Sequence, residues 1–390
     1  MHKLFRNRLQ VVRVIEPLFI LLLHESRIFC CVPVKLTEQD EAERVGKLLG
    51  TAQLNNNARI RNISDLAKIA GVSAGTVSRA LSDTGLISQK TRDRIKALAR
   101  EHDFRPNIMA RNLRIQKTGA IGVVIPLGHE TGQHISDPFF ITMLGLLADA
   151  LTEKGYDLVL SRVIPTDADW LDRFVDSGRV DGTIVIGQSD QAAVLDKVAS
   201  RYRPLVVWGG HSAGQVHCSV GSDNRLGGEL ATAHLIERGC QRLAFFGDPN
   251  ALEFELRLQG CRDAMKNAGL AGDITVFPAH LMAEAAHPDI TSFLGSAAER
   301  PQGIIAASDV IAMTTLRVLA EFGLSVPDDV KVIGYDGLEL TEHTFPRLST
   351  VRQDLTAGAH HLVDMLLSRI AGEDTASVVL QPELVVRNST

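Results

Sequence analysis

Between residues 62 and 104 apolar side chains recur at helical spacing in three short runs. Leu66, Ile69 and Ala70 mark the first, and Val77, Ala80 and Leu81 the second. Ile95 and Leu98 mark the third, with Phe104 beyond them. Asn62 stands where the first helix needs a cap, with Asp65 three residues on as its reciprocal partner. Gly71 supplies the backbone freedom to end that helix, and Ser73 and Ser88 cap the next two. The pattern predicts a helix-turn-helix followed by a third helix; the alternative is a helical hairpin that only packs in a core. Arg105-Pro106-Asn107 breaks the third helix, and residues 108–114 follow with Met109, Ala110 and Leu113 apolar.

From Gly119 the rhythm changes. Short apolar runs alternate with helix-length segments: 120–126, 157–160, 182–186, 204–208, 242–246, 274–277, 303–307 and 330–334, with a helix expected over 139–154. Buried strands alternating with helices predict parallel sheets covered on both faces. So many strands predict two doubly wound halves, with a ligand cleft beyond the carboxyl ends of the strands.

The first 57 residues do not share either pattern. The apolar stretch 14–32 is interrupted by Glu16, His24, Glu25 and Arg27, and its unbroken core, 18–23, is too short to span a bilayer. No small-residue cleavage site follows it. The expectation is an atypical extension, disordered or loosely helical, ending in the linker Asn55-Asn-Asn57.

Charge separates the modules further. The formal net charge of −5 conceals 13 Lys/Arg against 5 Asp/Glu in residues 58–118, 8 against 6 in residues 1–57, and 20 against 35 in residues 119–390. A basic module joined to an acidic one implies that only the first meets phosphate. The five cysteines, at 30, 31, 218, 240 and 261, show no C-x-x-C spacing, so reduced thiols in a cytoplasmic protein are expected rather than a zinc site or disulfides. No metal or cofactor is expected.

With these residues in view, the stretch 62–114 resembles the DNA-binding headpiece and hinge of the lactose-repressor/galactose-repressor (LacI) family. The matching positions are Asp65-Leu-Ala, Ala70-Gly-Val-Ser73, Thr76-Val-Ser-Arg-Ala-Leu81, Thr91-Arg, Phe104-Arg-Pro-Asn107 and Ala110-Arg-Asn-Leu113. The body carries further landmarks similar to the family's periplasmic-binding-protein-like sensor: Asp223-Asn224, Gly227-Gly228, Arg257-Leu258-Gln-Gly260, Ser308-Asp309, Gly334-Tyr335-Asp336 and Gln353-Asp354. The resemblance implies a headpiece over 58–105, a hinge over 106–118 and a two-lobed α/β sensor over 119–390. It also implies a homodimer on a palindromic operator in double-stranded DNA, and a small-molecule effector, usually a sugar that relieves repression. A purine-like corepressor or an activating role is the alternative. Because the sequence reads only three residues past Arg387, the expectation is a dimer rather than the tetramer that a leucine-rich C-terminal helix makes of some relatives.

Arg79 is the expected base reader, because an arginine fork matches the paired acceptors of guanine. Ser73, Ala74, Gly75, Thr76 and Ser78 share its helix, and small side chains let a helix approach a groove closely. In the hinge, Leu113 matches the family's minor-groove wedge, with Asn107, Ala110, Arg111 and Arg114 beside it and Lys117 on phosphate. For the effector, the resemblance points first to Arg257 and Asp336. Arg257 can instead pair with Glu253, and Asp336 can instead cap a turn. Phe139, Phe140 and Trp208 offer aromatic faces for a sugar ring, although tryptophan is as often core. Ser308, Asp309 and Arg162 complete the expected set, with His134 at its margin. No phosphate loop, dinucleotide fingerprint or nucleophile elbow is present in the sequence, and no catalytic centre can be assembled from it, so the expectation is not an enzyme.

Overall fold

The computed structural model describes residues 60, 62–83, 85–104, 117–128, 132–188, 190–270, 273–297 and 299–390. They fall into two compact units divided between Asn107 and Ile108. The expectations for 1–57 and for Asn107, Ala110, Arg111, Leu113 and Arg114 lie outside the described residues.

The first unit holds α1 (Ile63–Ala70), α2 (Ala74–Leu81) and α3 (Gln89–Glu101). Each begins at the expected cap: Asn62, Ser73 and Ser88 accept the backbone amides of Asp65, Thr76 and Thr91. Gly71 ends α1 at φ 64°, a left-handed conformation that glycine adopts without a Cβ penalty. Leu66, Val77, Ala80 and Ile95 close the core, with Ile60 and Phe104 at its rim. Ile69 does not join them. It is 49% exposed, because Leu66, Ala67 and Ala70 already form the inner face of α1.

The second unit runs β1 (Ala120–Pro126), α4 (Pro138–Glu153), β2 (Asp157–Val163), α5 (Trp170–Val175), β3 (Gly182–Ile186), α6 (Ala192–Ala199), β4 (Leu205–Trp208) and β5 (Cys218–Ser222). It continues with α7 (Asn224–Glu237), β6 (Leu243–Phe246), α8 (Leu252–Asn267), β7 (Thr275–Phe277), α9 (Ala283–Ser296), β8 (Gly303–Ala306) and α10 (Asp309–Glu321). It closes with β9 (Lys331–Asp336), β10 (Ser349–Arg352), α11 (Leu355–Ile370), β11 (Val378–Leu380) and β12 (Glu383–Val385). Two six-stranded sheets result, ordered β11-β5-β4-β3-β1-β2 and β12-β10-β9-β8-β6-β7. All described pairings are parallel except β10 with β12.

Alternation within the strands explains the layers. Ile121, Val123 and Ile125 of β1 face α4 and α11, whereas Val124 faces α5 and α6; Ile184 and Val185 of β3 divide in the same way. Both faces are buried, so the strands read as continuous apolar runs. The chain crosses between the lobes after β5, after β10 and between β11 and β12. Strands β5, β10, β11 and β12 went unread in the sequence. Two of them, Cys218-Ser-Val-Gly-Ser222 and Ser349-Thr-Val-Arg352, are polar in composition and mostly buried.

Candidate functional site

On the first unit, the candidate nucleic-acid interface is the outer face of α2. Ala74, Gly75 and Arg79 are exposed, and Thr76 and Ser78 are half-buried. Ser73 Oγ accepts the Thr76 amide at 3.2 Å and pairs with Thr76 Oγ1 at 2.9 Å, so both hydroxyls are engaged in the cap. Arg79 Nε donates to the Gly75 carbonyl at 3.2 Å, holding the guanidinium over the smallest stretch of the helix. Several cations of α3 serve the fold instead. Arg94 donates to the Ala70 carbonyl at the end of α1, and Arg92 and Lys96 both sit on Asp83, whose carboxyl Lys96 holds below its ordinary range.

In the second unit, a cavity of about 840 Å³, its open mouth included, lies between the lobes at the carboxyl ends of both sheets. One lobe contributes the ends of β1, β3, β4 and β5 and the start of α4; the other contributes α8 and the ends of β8, β9 and β10. This is the placement expected for doubly wound sheets.

Arg257 is buried and heavily engaged. Its Nε donates to Asn224 Oδ1 at 2.8 Å, its Nη1 to the Ala307 carbonyl, and its guanidinium carbon lies 3.6 Å from the Tyr335 ring centroid. The landmark glycines set this position: a Cβ at Gly228 would strike the Arg257 carbonyl, and one at Gly260 would strike that of Arg225, so α7 and α8 touch backbone to backbone. Glu253 does not pair with Arg257. Its Oε1 accepts the Gly210 amide at 2.9 Å, a hydrogen bond that joins the two lobes across the cleft.

Asp336 ends β9 at φ 121°, a conformation that costs about 1–3 kcal/mol for a residue with a Cβ. Its Oδ1 accepts Gln353 Nε2 at 2.8 Å and its carboxylate also accepts the Asp309 amide. Burial pushes its pKa up to about 7 against the opposing pull of Arg257 and Gln353. Asp137 approaches from the other lobe, capping α4 through the Phe139 amide at 2.9 Å and accepting Gln133 Nε2 at 3.1 Å. Burial raises its carboxyl as well. Ser222 Oγ is buried without a partner and lines the same space.

Of the residues expected at the effector site, Phe139, Phe140, Trp208, Arg257, Ser308 and Asp336 line the cavity. The two phenylalanines meet edge to face at 5.8 Å, with Phe140 turned into the core. Trp208 also packs against Gly358 of α11, where any side chain would collide with its ring. Arg162 and Asp309 do not line the cavity. Arg162 donates to the Gln133 carbonyl at 3.2 Å. Asp309 is fully buried, its carboxyl accepting Thr350 Oγ1 at 2.7 Å and the Leu338 amide at 2.8 Å; burial and the nearby Asp336 raise its pKa well above 3.8. His134 is exposed outside the lining. Gln133, Asp137, Ser222, Asn224, Glu253, Phe254 and Gln353 do line it and were not singled out. Asn224 and Gln353 stood within the landmarks, whereas Ser222 ends a strand whose polar composition hid it.

Residues 62–107 match the family described as bacterial regulatory proteins, lacI family, and residues 232–390 a periplasmic binding protein-like domain. The chain is 31% identical over 343 residues to the HTH-type transcriptional regulator CelR of Thermobifida fusca, covering 83% of this chain and 96% of that protein. It is 29% identical to the sucrose operon repressor of Streptococcus mutans, covering 83% and 97%. Among solved structures it resembles a CelR–cellobiose complex (TM-score 0.61, 28% identity, 85% of this chain and 100% of that one). It shares its fold with the Lac repressor dimer bound to operator (TM-score 0.73, 24% identity, 84% and 98%). A helix-turn-helix headpiece ahead of a two-lobed α/β sensor, similar along most of its length to these regulators, means that the chain belongs to the lacI family of bacterial regulatory proteins.

Proposed function

We propose that this chain is a dimeric repressor of carbohydrate-utilisation genes, acting in the cytoplasm and released from its operator by a sugar bound between the lobes. The observation that carries the sugar assignment is the lining: Asp336, Asp137 and the unpartnered Ser222 Oγ offer acceptors to hydroxyls, and Phe139 and Trp208 stand beside them for the C–H face of a ring. The named ligand of the CelR complex, cellobiose, supports the same class. Among the described residues no helix is long and apolar enough to cross a membrane, and the regulators it resembles support a regulatory role over a catalytic one.

On DNA, Arg79 reads a base edge while Ser73, Ala74, Gly75, Thr76 and Ser78 allow close approach and backbone contact. Leu113 wedges into the minor groove at the centre of a palindrome, flanked by Asn107, Ala110, Arg111 and Arg114. A mobility-shift titration on the DNA upstream of the chain's own gene, repeated with cellobiose, sucrose and simple hexoses, tests the reading. The expected outcome is a retarded complex at nanomolar protein that one of these sugars dissolves. A complex indifferent to every sugar would sink the effector assignment, and turnover of a sugar would sink the regulatory one.

A further inference from the structure

We propose that the interlobe cavity discriminates by charge and takes an uncharged sugar in preference to a phosphorylated or acidic one. The proposal rests on the sugar reading above and narrows it. Three carboxylates line the cavity, Asp137 from one lobe and Glu253 and Asp336 from the other. Among the described lining residues Arg257 is the one cation, and it is already engaged by Asn224, the Ala307 carbonyl and the Tyr335 face. An incoming phosphate or carboxylate would therefore meet a surplus of negative charge in a partly enclosed site, where screening is weaker than at an open surface.

Helix N-termini are the other common source of anion affinity, and at α4 and α10 the protein's own groups occupy them. The Asp137 carboxylate takes the first turn of α4. Ser308 Oγ and the Asp336 carboxylate take that of α10. The first turn of α8 has no side-chain cap, but it carries the negative charges of Glu253 and Glu255, which oppose an anion there. The amide donors are drawn the same way: Gln133 and Gln353 each give a hydrogen to one of these carboxylates, and Asn224 Nδ2 gives one to the Ser222 carbonyl. What remains is a surface rich in acceptors, suited to a ligand that presents many O–H donors and no negative charge. Burial raises the pKa of Asp137 and takes that of Asp336 to about 7, so the surplus of negative charge grows as pH rises through that value.

The test is calorimetric titration of the full chain with glucose, galactose and cellobiose. It also uses the uronates, the 6-phosphates and the uronamides of glucose and galactose. A uronamide keeps the shape of the uronate without its charge, which separates repulsion from crowding. The expected result is that at least one neutral sugar binds and the uronamide approaches it, while the matching uronate and phosphate bind about 100-fold more weakly or worse. Glu253→Gln keeps an acceptor for the Gly210 amide and removes a charge, and should narrow the gap between uronamide and uronate about tenfold. A uronate or phosphate that binds as tightly as its neutral counterpart overturns the charge selection and leaves the sugar reading intact. So does a gap that Glu253→Gln leaves unchanged. Failure of every neutral and anionic sugar to bind overturns the sugar reading itself, and this proposal with it.

Discussion

Asp309 and Asp336 show how two neighbouring carboxyls divide structural and binding work. Asp336 faces the cavity, while Asp309 turns away to tie Thr350 and the Leu338 amide, which fixes the turn that holds Asp336 at its unusual φ. Asp309→Ala would orphan both partners, at about 1–3 kcal/mol for each, whereas Asp309→Asn keeps the acceptor for one of them. Urea unfolding should rank the variants in that order. The pair also makes stability depend on pH. Both carboxyls have folded-state pKa values above the ordinary 3.8, so the folded chain holds more protons than the unfolded one between 3.8 and about 7. Their contribution is present at the acid end of that window and is lost as pH rises through it. Asp309→Asn should flatten the decline between pH 5 and pH 7; an unchanged slope would mean that Asp309 titrates normally. The family resemblance placed Asp309 in the cavity, as half of the landmark Ser308-Asp309. The direction of a side chain at the first position of a helix depends on β9 and β10, far along the chain, and is not written locally.

At the scale of elements, local signals were legible wherever a short stretch decides its own conformation. The caps Asn62, Ser73 and Ser88 and the stop at Gly71 were readable because each needs only its own turn of chain. Strands β1 and β3 were readable because burial on both faces leaves an uninterrupted apolar run. Strand β10 was not, because its buried Ser349 and Thr350 hydroxyls are satisfied by partners 41 residues away in either direction, Thr390 and Asp309. The headpiece has its own small core, and its integrity rests on few residues. Leu66 is fully buried in it, so Leu66→Ala should cost about 2–5 kcal/mol. A unit this small has little reserve against that loss. The expected outcome is loss of operator binding with sugar binding retained, since the cavity is built wholly from the second unit. Parallel loss of sugar binding would show that the two units do not fold independently.

For the whole molecule the question is how occupancy of one unit reaches the other, and thermodynamics constrains the answer without a pathway. The two lobes are joined by three crossings and by the Gly210–Glu253 hydrogen bond, so a ligand spanning Asp137 and Asp336 changes the relative stability of their arrangements. A sugar releases the chain from DNA only if it prefers the arrangement that binds operator less well. Coupling is reciprocal: a sugar that weakens operator affinity tenfold must itself bind tenfold more weakly when operator is present. Titrating the sugar into the free chain and into the operator complex should give dissociation constants in the same ratio as the operator constants measured without and with sugar. A corepressor would invert both ratios together. Asp336→Ala, which removes the cavity carboxylate that accepts Gln353 and the Asp309 amide, should leave operator affinity near its starting value and bring both ratios to one. If the mutant keeps a full sugar response on DNA, the effector acts somewhere other than this cavity.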